Sequence, residues 1–372
     1  MAFSLADTKR MKKALALAQK GKGYVSPNPL VGCVIYSKEG VRIGEGYHER
    51  YGQPHAEINA LKKVKDPSDL LDATVYVTLE PCAHHGKTPP CADELAKYPL
   101  KRVVVAMEDP NPKVNGKGIA LLRKKGIKVE TGLLEEEGRK MNEAFLFYIQ
   151  FHKPFVILKM AQTLDGYIAA PDGSSKWITG KASRALVHQW RSEYDAVLVG
   201  RNTALFDNPR LSVRHVEGRQ PRRVVLDGPG TLPDQLHLFS DIHEHKTIRI
   251  THNKGIGGNE DPALQLLQPD PFHGKNVVVP ELNGHCNLEQ AFNELGRLGI
   301  TSVLVEAGSN LATALIRQNL VDKIHLFLAP KMLGGGTRSV LGLGVERMSE
   351  IIPLKTENWT QVGDDMLYTG YF

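Results

Sequence analysis

Two short motifs of the sequence carry residue types that together could activate a water molecule. Pro54-His55-Ala56-Glu57 brings an imidazole and a carboxylate close together, and Cys82 and Cys91, each preceded by a proline, offer two thiolates. One imidazole and two thiolates are typical ligands of catalytic zinc, which keeps its fourth position for a water whose pKa it lowers towards about 7. The sequence therefore predicts a zinc site made of His55, Cys82 and Cys91, with Glu57 left for proton transfer.

The start of a helix must reconcile these roles, because residues two apart do not share a helix face. If Pro54 is the first helical residue, His55 and Glu57 both lie in the opening turn, where one can reach a metal and the other its water. Cys91 precedes a predicted helix, and the positive end of that helix would favour ionisation of the Cys91 thiol. A structural zinc site remains the alternative, and its fourth ligand would come from His48, His84 or His85.

The apolar pattern of the first part of the chain predicts an α/β sandwich. Helices are expected at residues 7–20 (with Asp7 or Thr8 as cap), 54–65, 91–98, 117–125 and 134–149, and strands at 30–36, 74–78 and 102–106. The loop-like residues 151–154 then predict a boundary, so that residues 1–150 and 151–372 form two domains.

The second part of the chain is also predicted to be α/β. Strands are expected at residues 155–160, 196–200, 223–226, 247–251, 276–279, 302–306 and 323–329, and helices at 182–193, 288–298 and 311–318. Residues 251–271 are rich in Gly, Asn and Pro and predict surface loops. No strand is followed by a G-x-G-x-x-G motif, so a Rossmann dinucleotide site is not supported.

Composition narrows the class of protein further. With 41% hydrophobic and 24% charged residues over 372 positions, disordered, collagen-like and coiled-coil classes are excluded. The net charge of +6 is too mild for a general nucleic-acid binder but suits a small phosphorylated substrate. Four cysteines do not make a disulfide framework, and no apolar stretch is long enough to cross a bilayer. We therefore expect a cytoplasmic protein without nucleic-acid or membrane partners.

The His-x-Glu and Pro-Cys motifs resemble the zinc deaminases of nucleobases, although eight residues replace the usual two between the cysteines. That insert, with Pro27-Asn28-Pro29 and residues 109–112, resembles the deaminase half of the bifunctional riboflavin-biosynthesis deaminase/reductase family. The resemblance implies a cytidine-deaminase-like αβα sandwich and a diaminopyrimidinone substrate that carries a phosphoribosylamino group. It also implies a substrate pocket lined by Asn28, His48, His84 and Lys87.

Four further motifs, at residues 159–166, 175–179, 200–214 and 305–308, resemble the reductase domain of the same family, whose fold is similar to that of dihydrofolate reductase. The resemblance implies NADPH as cofactor. The implied cofactor contacts are Ala161, Trp177, Thr203, Asp207, Gly308, Ser309, Asn310, Leu311, Ala312, Thr313 and Ala314. The implied substrate contacts are Ser175, Arg191, Leu211, Arg214 and Glu306.

Elementary chemistry supports several of these roles. Arg191 and Arg214 can offer planar donor groups to a ribose phosphate. Gly308 lies between a predicted strand and a predicted helix, whose first N–H groups can hold a cofactor phosphate. Lys159 and Asp165 are candidate polar groups near the path of the hydride. Each residue also has an ordinary alternative, such as a turn, a core position or a helix end.

The sequence thus predicts an enzyme with two activities. The first domain deaminates a pyrimidine, and the second uses NADPH to reduce the ribosyl group to ribityl. One alternative is a nucleotide or tRNA deaminase fused to a folate-type reductase, which would need a basic, aromatic groove. Another is a non-enzymatic zinc module with a nucleotide-sensing tail. The resemblance also leads us to expect a homo-oligomer.

Overall fold

The computed structural model describes residues 3–83, 89–111, 114–252 and 274–372. The chain divides into two compact units, Met1–His152 and Lys153–Phe372. The division falls just beyond the boundary expected at residue 150. Among the described residues, none of the helices combines the length and hydrophobicity needed to span a bilayer.

The first unit is built on a sheet of five strands within the described residues. Its strands are β1 (Gly32–Tyr36), β2 (Arg42–Tyr47), β3 (Thr74–Leu79), β4 (Arg102–Met107) and β5 (Lys128–Thr131), in the order β2-β1-β3-β4-β5. Its helices are α1 (Leu5–Ala18), α2 (Ala56–Leu61), α3 (Cys91–Leu95), α4 (Lys117–Lys124), α5 (Glu135–Met141) and α6 (Glu143–Phe151). The strands β3, β4 and β5 are parallel, whereas β1 pairs antiparallel with both β2 and β3.

Alternation of side chains along these strands gives the sheet two buried faces. Val34, Tyr76 and Val104 pack with α1 on one face. On the opposite face, the strand residues cluster with residues of α2, α3 and α4. Because successive strand residues point to opposite sides, the sheet carries helices on both faces, which is the predicted αβα sandwich.

Two helix predictions in this unit were wrong in detail. Ser4, not Asp7 or Thr8, caps α1: its hydroxyl accepts a hydrogen bond from the Asp7 N–H at 3.1 Å, and the Asp7 carboxylate accepts one from the Ser4 N–H at 2.9 Å. The single helix expected at residues 134–149 is divided at Asn142 into α5 and α6. The Asn142 amide bonds the backbone N–H and carbonyl of Leu30, at 2.8 and 3.1 Å, and this tertiary contact overrides the helical pattern.

The second unit contains a larger sheet. The strands of this unit are β6 (Phe155–Thr163), β7 (Tyr167–Ala169), β8 (Ala196–Gly200), β9 (Arg222–Leu226), β10 (Thr247–His252), β11 (Lys275–Val279), β12 (Glu281–Leu282), β13 (His285–Cys286), β14 (Ser302–Glu306), β15 (Lys323–Ala329), β16 (Thr337–Arg338), β17 (Lys355–Val362) and β18 (Asp365–Tyr371). Of these, β12 pairs with β13 and β7 with β16, apart from the larger sheet. Its helices are α7 (Lys181–Glu193), α8 (Arg201–Asp207), α9 (His237–Ser240), α10 (Leu288–Arg297) and α11 (Ser309–Arg317).

The order of the main sheet is β11-β10-β9-β8-β14-β6-β15-β18-β17, parallel from β11 to β15 and antiparallel at β18 and β17. The predicted second α/β domain is therefore present. The sequence reasoning missed the antiparallel edge, because β17 is mostly exposed and lacks a buried alternating pattern. Of the expected loop at 251–271, Thr251 and His252 belong to β10, and residues 253–271 lie outside the described residues.

Candidate functional site

The predicted zinc ligands converge in the first unit. The His55 Nδ1 atom lies 3.3 Å from the Cys91 sulfur and 3.6 Å from the Cys82 sulfur, and the three donor atoms all lie within 4.8 Å of one another. Tetrahedral zinc with ordinary Zn–N and Zn–S bonds separates nitrogen from sulfur by about 3.6 Å. The three side chains therefore fit a zinc ion without rearrangement.

The helix that carries the predicted carboxylate begins later than expected. Pro54 is not helical: His55 is the cap of α2 in extended conformation, and the helix begins at Ala56. His55 thus lies outside the helix and Glu57 in its first turn, so the two side chains approach the same point from different backbone conformations. His55 can therefore still reach a metal while Glu57 reaches its water, as predicted. The assumption that the helix begins at Pro54 was wrong.

Glu57 is 3% exposed, and its Oε2 atom has no hydrogen-bond partner within the described part of the chain. A buried carboxylate oxygen without a partner is costly unless a ligand satisfies it. Burial raises the pKa of Glu57 to about 7, and the charge of the Cys82 thiolate adds to the rise. Near neutral pH the Glu57 carboxyl is therefore suited both to accept and to return a proton.

The start of α3 acts on a different sulfur from the one expected. Cys91 is the first residue of α3, and its N–H donates to the Cys82 sulfur at 3.3 Å. The pKa of Cys82 is lowered, first by its hydrogen bond with Cys91, whereas that same bond and burial raise the pKa of Cys91. The N–H group at the helix start therefore points at the neighbouring ligand Cys82, and the effect of the helix start on the Cys91 thiol stays a prediction.

A cavity of about 340 Å³ opens beside these ligands. Asn28 and His48 line it together with His55, Glu57 and Cys82. The Asn28 amide lies 3.2 Å from the His48 Nε2 atom, and the His48 Nδ1 atom lies 3.2 Å from the carbonyl oxygen of Pro54. Burial lowers the pKa of His48. Neutral His48 with its proton on Nδ1 would accept from Asn28, which orients the amide in the cavity.

The other two predicted pocket residues, His84 and Lys87, lie outside the described residues, as does His85. The sequence reasoning gave no role to several residues that do line the cavity. Asp109 and Asn111 belong to a motif that had been noticed only as a resemblance, and Phe145 and Tyr148 formed part of an apolar helical pattern that is ordinarily typical of a core. Only the three-dimensional position of α6 reveals the second pair as a cavity wall.

In the second unit, predicted substrate residues meet at the carboxyl ends of parallel strands. Lys159 of β6 lies directly beside Glu306 of β14. The Arg191 Nε and Nη2 atoms donate to the two Glu306 oxygens at 2.6 and 2.9 Å, and Arg191 Nη1 donates to the Ser212 carbonyl at 3.3 Å. In this structure Glu306 therefore occupies two donors of Arg191, and the contact between Arg191 and a phosphate stays a prediction.

The charges around this pair remain mainly positive. Burial works against ionisation of Glu306, but the Arg191 guanidinium lowers the pKa of Glu306 to about 2. Burial lowers the pKa of Lys159, whereas the Glu306 carboxylate raises it. Arg214 is exposed, and Lys159 is half-buried beside Glu306. Both cations are therefore available to an anionic ligand.

The predicted cofactor segment begins α11. Gly308 caps this helix, and no side chain of the described residues hydrogen-bonds its first-turn N–H groups, which suits a phosphate. A Cβ atom at Gly308 would lie 3.8 Å from the Thr203 hydroxyl, so two predicted cofactor residues are neighbours. Asn310 is exposed and Leu311 and Ala314 are half-buried. A cofactor phosphate at the start of α11 would therefore contact mainly backbone N–H groups.

Several predicted contact residues have side chains that are buried or bonded within the protein. Ala312 and Leu211 are buried, and Ala312 belongs to the core cluster. Ser309 donates its hydroxyl hydrogen to the Arg338 carbonyl, and the Thr313 hydroxyl accepts from the Leu341 N–H at 2.9 Å. These side chains therefore pack or form hydrogen bonds within the protein. Resemblance of a motif does not reveal which of its side chains are used in this way.

The remaining predicted residues lie on more open segments. Trp177 is 65% exposed, with the Arg184 guanidinium 4.4 Å from its ring centre and the Lys331 amine 2.9 Å from its carbonyl oxygen. Ser175 and Ala161 are half-buried, and Asp207 is exposed at the end of α8. Asp165 accepts hydrogen bonds from the backbone N–H groups that follow β15, and its place near the hydride path stays a prediction.

Comparison with known proteins identifies the class. Residues 5–107 match the cytidine and deoxycytidylate deaminase zinc-binding region, and residues 154–368 match the RibD C-terminal domain. Together with the zinc-type ligand set, the fold defines a zinc-dependent deaminase joined to a reductase.

Relatives match the whole chain as well as its parts. The riboflavin biosynthesis protein RibD of Aquifex aeolicus is 42% identical over 362 residues, which are 97% of each chain. The Actinobacillus pleuropneumoniae protein of the same name is 40% identical over 366 residues, which are 98% of this chain and 95% of that one. The solved Acinetobacter baumannii RibD has a TM-score of 0.86 at 35% identity, and covers 98% of both chains. The chain belongs to the RibD family of riboflavin-biosynthesis proteins.

Membership of this family confirms the predicted fold class, function and cofactors. The protein is a bifunctional enzyme, a deaminase and a reductase, that acts on a small pyrimidine and uses zinc and NADPH. The fusion of a tRNA deaminase with a folate-type reductase and the non-enzymatic zinc module are both set aside, because relatives match across both halves.

Proposed function

We propose that the first unit hydrolyses the amine at ring carbon 2 of 2,5-diamino-6-(5-phosphoribosylamino)pyrimidin-4(3H)-one. A Thermotoga maritima protein described as a diaminohydroxyphosphoribosylaminopyrimidine deaminase and 5-amino-6-(5-phosphoribosylamino)uracil reductase is 37% identical, has a TM-score of 0.85 and covers 98% of both chains. His55 Nδ1, Cys82 and Cys91 bind zinc, which supplies a nucleophile from water at neutral pH when it is bound.

Glu57 is the proposed catalytic acid and base. Glu57 lines the cavity, and its Oε2 atom, which has no hydrogen-bond partner among the described residues, can accept the proton that water releases. The carboxyl gives this proton to the ring nitrogen, then takes the remaining proton of the added hydroxyl group and gives it to the departing amine, so that the carbon–nitrogen bond breaks, ammonia leaves and a carbonyl forms. Asn28 and His48 orient the pyrimidine edge, and His84 and Lys87 are proposed from the family resemblance to face its phosphate.

The second unit reduces the ring-opened ribosyl group of the deaminated product to ribityl. When bound, NADPH would supply a hydride for carbon 1 of the sugar. Arg214 and Lys159 attract the substrate's anionic group, and Arg191 and Glu306, which hold each other in place, also contact the substrate. Ser175 and the backbone of Leu211 complete the proposed substrate site. The proposed cofactor contacts are Ala161, Trp177, Thr203, Asp207 and the start of α11 from Gly308 through Ser309, Asn310, Leu311, Ala312, Thr313 and Ala314.

We also propose that the enzyme works in the cytoplasm as a homo-oligomer and binds neither nucleic acid nor membrane. The free state of Cys33, Cys82, Cys91 and Cys286 suits a reducing compartment. The mild net charge gives little electrostatic attraction to nucleic acid. The domain limits follow the same reasoning, with deamination in residues 1–150 and reduction in residues 151–372.

The convergence of His55, Cys82 and Cys91 beside the unpartnered Glu57 oxygen carries this proposal, and a Glu57→Ala variant tests it. The variant is expected to retain bound zinc by metal analysis but to release ammonia about a hundredfold more slowly or worse, because the proton relay is lost. Reduction of the deaminated substrate should continue at the wild-type rate. Glu39→Ala, at an exposed position of the same unit, is the control and should leave both activities unchanged. Ammonia release by Glu57→Ala at the wild-type rate would overturn the assignment.

A further inference from the structure

A second glutamate of the first unit is buried beside the zinc ligands. Glu80 follows β3 directly, precedes Pro81 and Cys82, and is 3% exposed. Its Oε2 atom accepts hydrogen bonds from the N–H groups of Asp109 at 3.3 Å and Gly116 at 2.9 Å. Its Oε1 atom accepts from Gly118 at 3.0 Å and Ile119 at 3.3 Å, so four backbone donors among the described residues reach this carboxylate.

These bonds replace a cap that α4 otherwise lacks. Gly116 is the cap residue of α4, and it can offer no side-chain oxygen to the first-turn N–H groups. A carboxylate near the positive end of a helix is also favoured electrostatically. The start of α4 approaches the chain of the zinc ligand closely, since a Cβ atom at Gly118 would lie 1.9 Å from the Pro81 carbonyl oxygen. Glu80 therefore fixes α4 against the segment that ends in Cys82.

The same contacts hold one wall of the cavity. Asp109 and Gly116, whose N–H groups meet on one Glu80 oxygen, flank Asn111 and Val114 in the chain. Asp109, Asn111 and Val114 all line the cavity that contains Glu57. These residues lie beyond residue 107, where the match to the zinc-binding region of deaminases ends. They are therefore placed to distinguish this chain's substrate from those of other zinc deaminases.

We propose that Glu80 is a positioning residue of the deaminase, which sets the substrate-binding wall formed by Asp109, Asn111 and Val114. It acts through the backbone of that wall and takes no part in proton transfer. This inference rests on the proposed zinc site, because the wall has a substrate role only if the reaction occurs beside Glu57.

The test compares Glu80→Gln with Asp7→Asn. A glutamine keeps the shape of the side chain, but its NH2 group replaces one carboxylate oxygen. Because NH2 is a donor, it cannot accept from the backbone N–H groups that bond that oxygen. Asp7 is an equally buried carboxylate of the same unit that bonds Tyr76 and Arg102, away from the cavity lining, so its loss controls for destabilisation. Glu80→Gln is expected to raise KM for the deaminase substrate about tenfold or more with kcat changed less than about threefold, whereas Asp7→Asn leaves KM unchanged.

Two further measurements, the zinc content of Glu80→Gln and the KM of a double variant, distinguish a positioning role from general destabilisation. Glu80→Gln should retain as much zinc as the wild type, and its effect on KM should not add to that of Asn111→Ala, since both act on one wall. If Glu80→Gln does not fold, Glu80→Asp, which keeps the charge but shortens the side chain, should show the same rise in KM. A folded variant with wild-type KM, or one whose activity falls only as its zinc is lost, would overturn the proposal. Full activity of Glu57→Ala would instead overturn the zinc site itself.

Discussion

The ion pair between Arg191 and Glu306 offers a quantitative test of how the second unit is held together. Its two side chains are only 12% and 15% exposed, so solvent screens the pair weakly. We predict that Glu306→Gln, which keeps the shape and removes the charge, destabilises this unit at neutral pH. It would also leave the Arg191 guanidinium buried without its counter-charge, which is costly.

The size of the effect follows from the pKa of Glu306, which is lowered from 4.5 to about 2. Since one pKa unit corresponds to about 1.4 kcal/mol, the charged pair contributes about 3 kcal/mol at pH 7. The folded pKa lies below the unfolded pKa, so this stabilisation is fully present above 4.5 and is lost as the pH falls towards 2. At pH 3 less than about half of this stabilisation remains by the same relation.

Tryptophan fluorescence reports on this unit alone, because Trp177, Trp190 and Trp359 are the three tryptophans of the chain and all follow residue 152. Urea unfolding of the wild type and of Glu306→Gln should therefore be followed by fluorescence at pH 7 and at pH 3. Glu294→Gln removes a glutamate whose ion pair with Arg297 is at the surface, and should leave the unfolding free energy close to the wild-type value.

Two results would refute this reasoning. Equal unfolding free energies for wild type and Glu306→Gln at pH 7 would show that the pair contributes no net stability. A difference that is the same at pH 7 and pH 3 would show that the loss comes from packing and not from the charge, because protonated Glu306 resembles glutamine.

Two further predictions concern binding and stability. Arg214→Ala should raise the KM of the reduction about tenfold or more, because the phosphorylated substrate loses a charged partner, while ammonia release stays unchanged. Arg297→Ala, at the surface, is the control. An unchanged KM for Arg214→Ala would contradict the substrate role. Asn142→Ala should destabilise the first unit by about 2 kcal/mol, since it leaves the Leu30 N–H without its bond. Hydrogen exchange of that unit's core amides measures this loss, and wild-type protection would exclude it.

The metal ligands could be predicted from the sequence because residue type alone states their chemistry. An imidazole and two thiolates near a carboxylate are typical of a catalytic zinc centre, and the structure brings His55, Cys82 and Cys91 together beside Glu57. The buried strands were also predictable, since Ala196–Gly200, Ser302–Glu306 and Lys323–Ala329 begin and end at the expected residues. Continuous apolar runs identify interior parallel strands.

What the sequence did not predict depends on contacts between distant residues. The helix division at Asn142 arises from bonds to Leu30, more than a hundred residues away. Arg191 looked available for a phosphate until the structure placed Glu306 against it. Glu80 carried no signal at all, because an acidic residue beside a proline is ordinary until four N–H groups are found around it.

Removal of the metal tests the central claim most directly. The purified protein should be depleted of zinc with a chelator, and both ammonia release and reduction of the deaminated substrate should then be measured, before and after zinc is restored. Cys82→Ser, which removes one ligand, provides the same test without a chelator. We predict that deamination disappears with the metal, returns with one zinc per chain, and that reduction is unaffected throughout. Deamination at the full rate by protein shown to contain no metal would contradict the account.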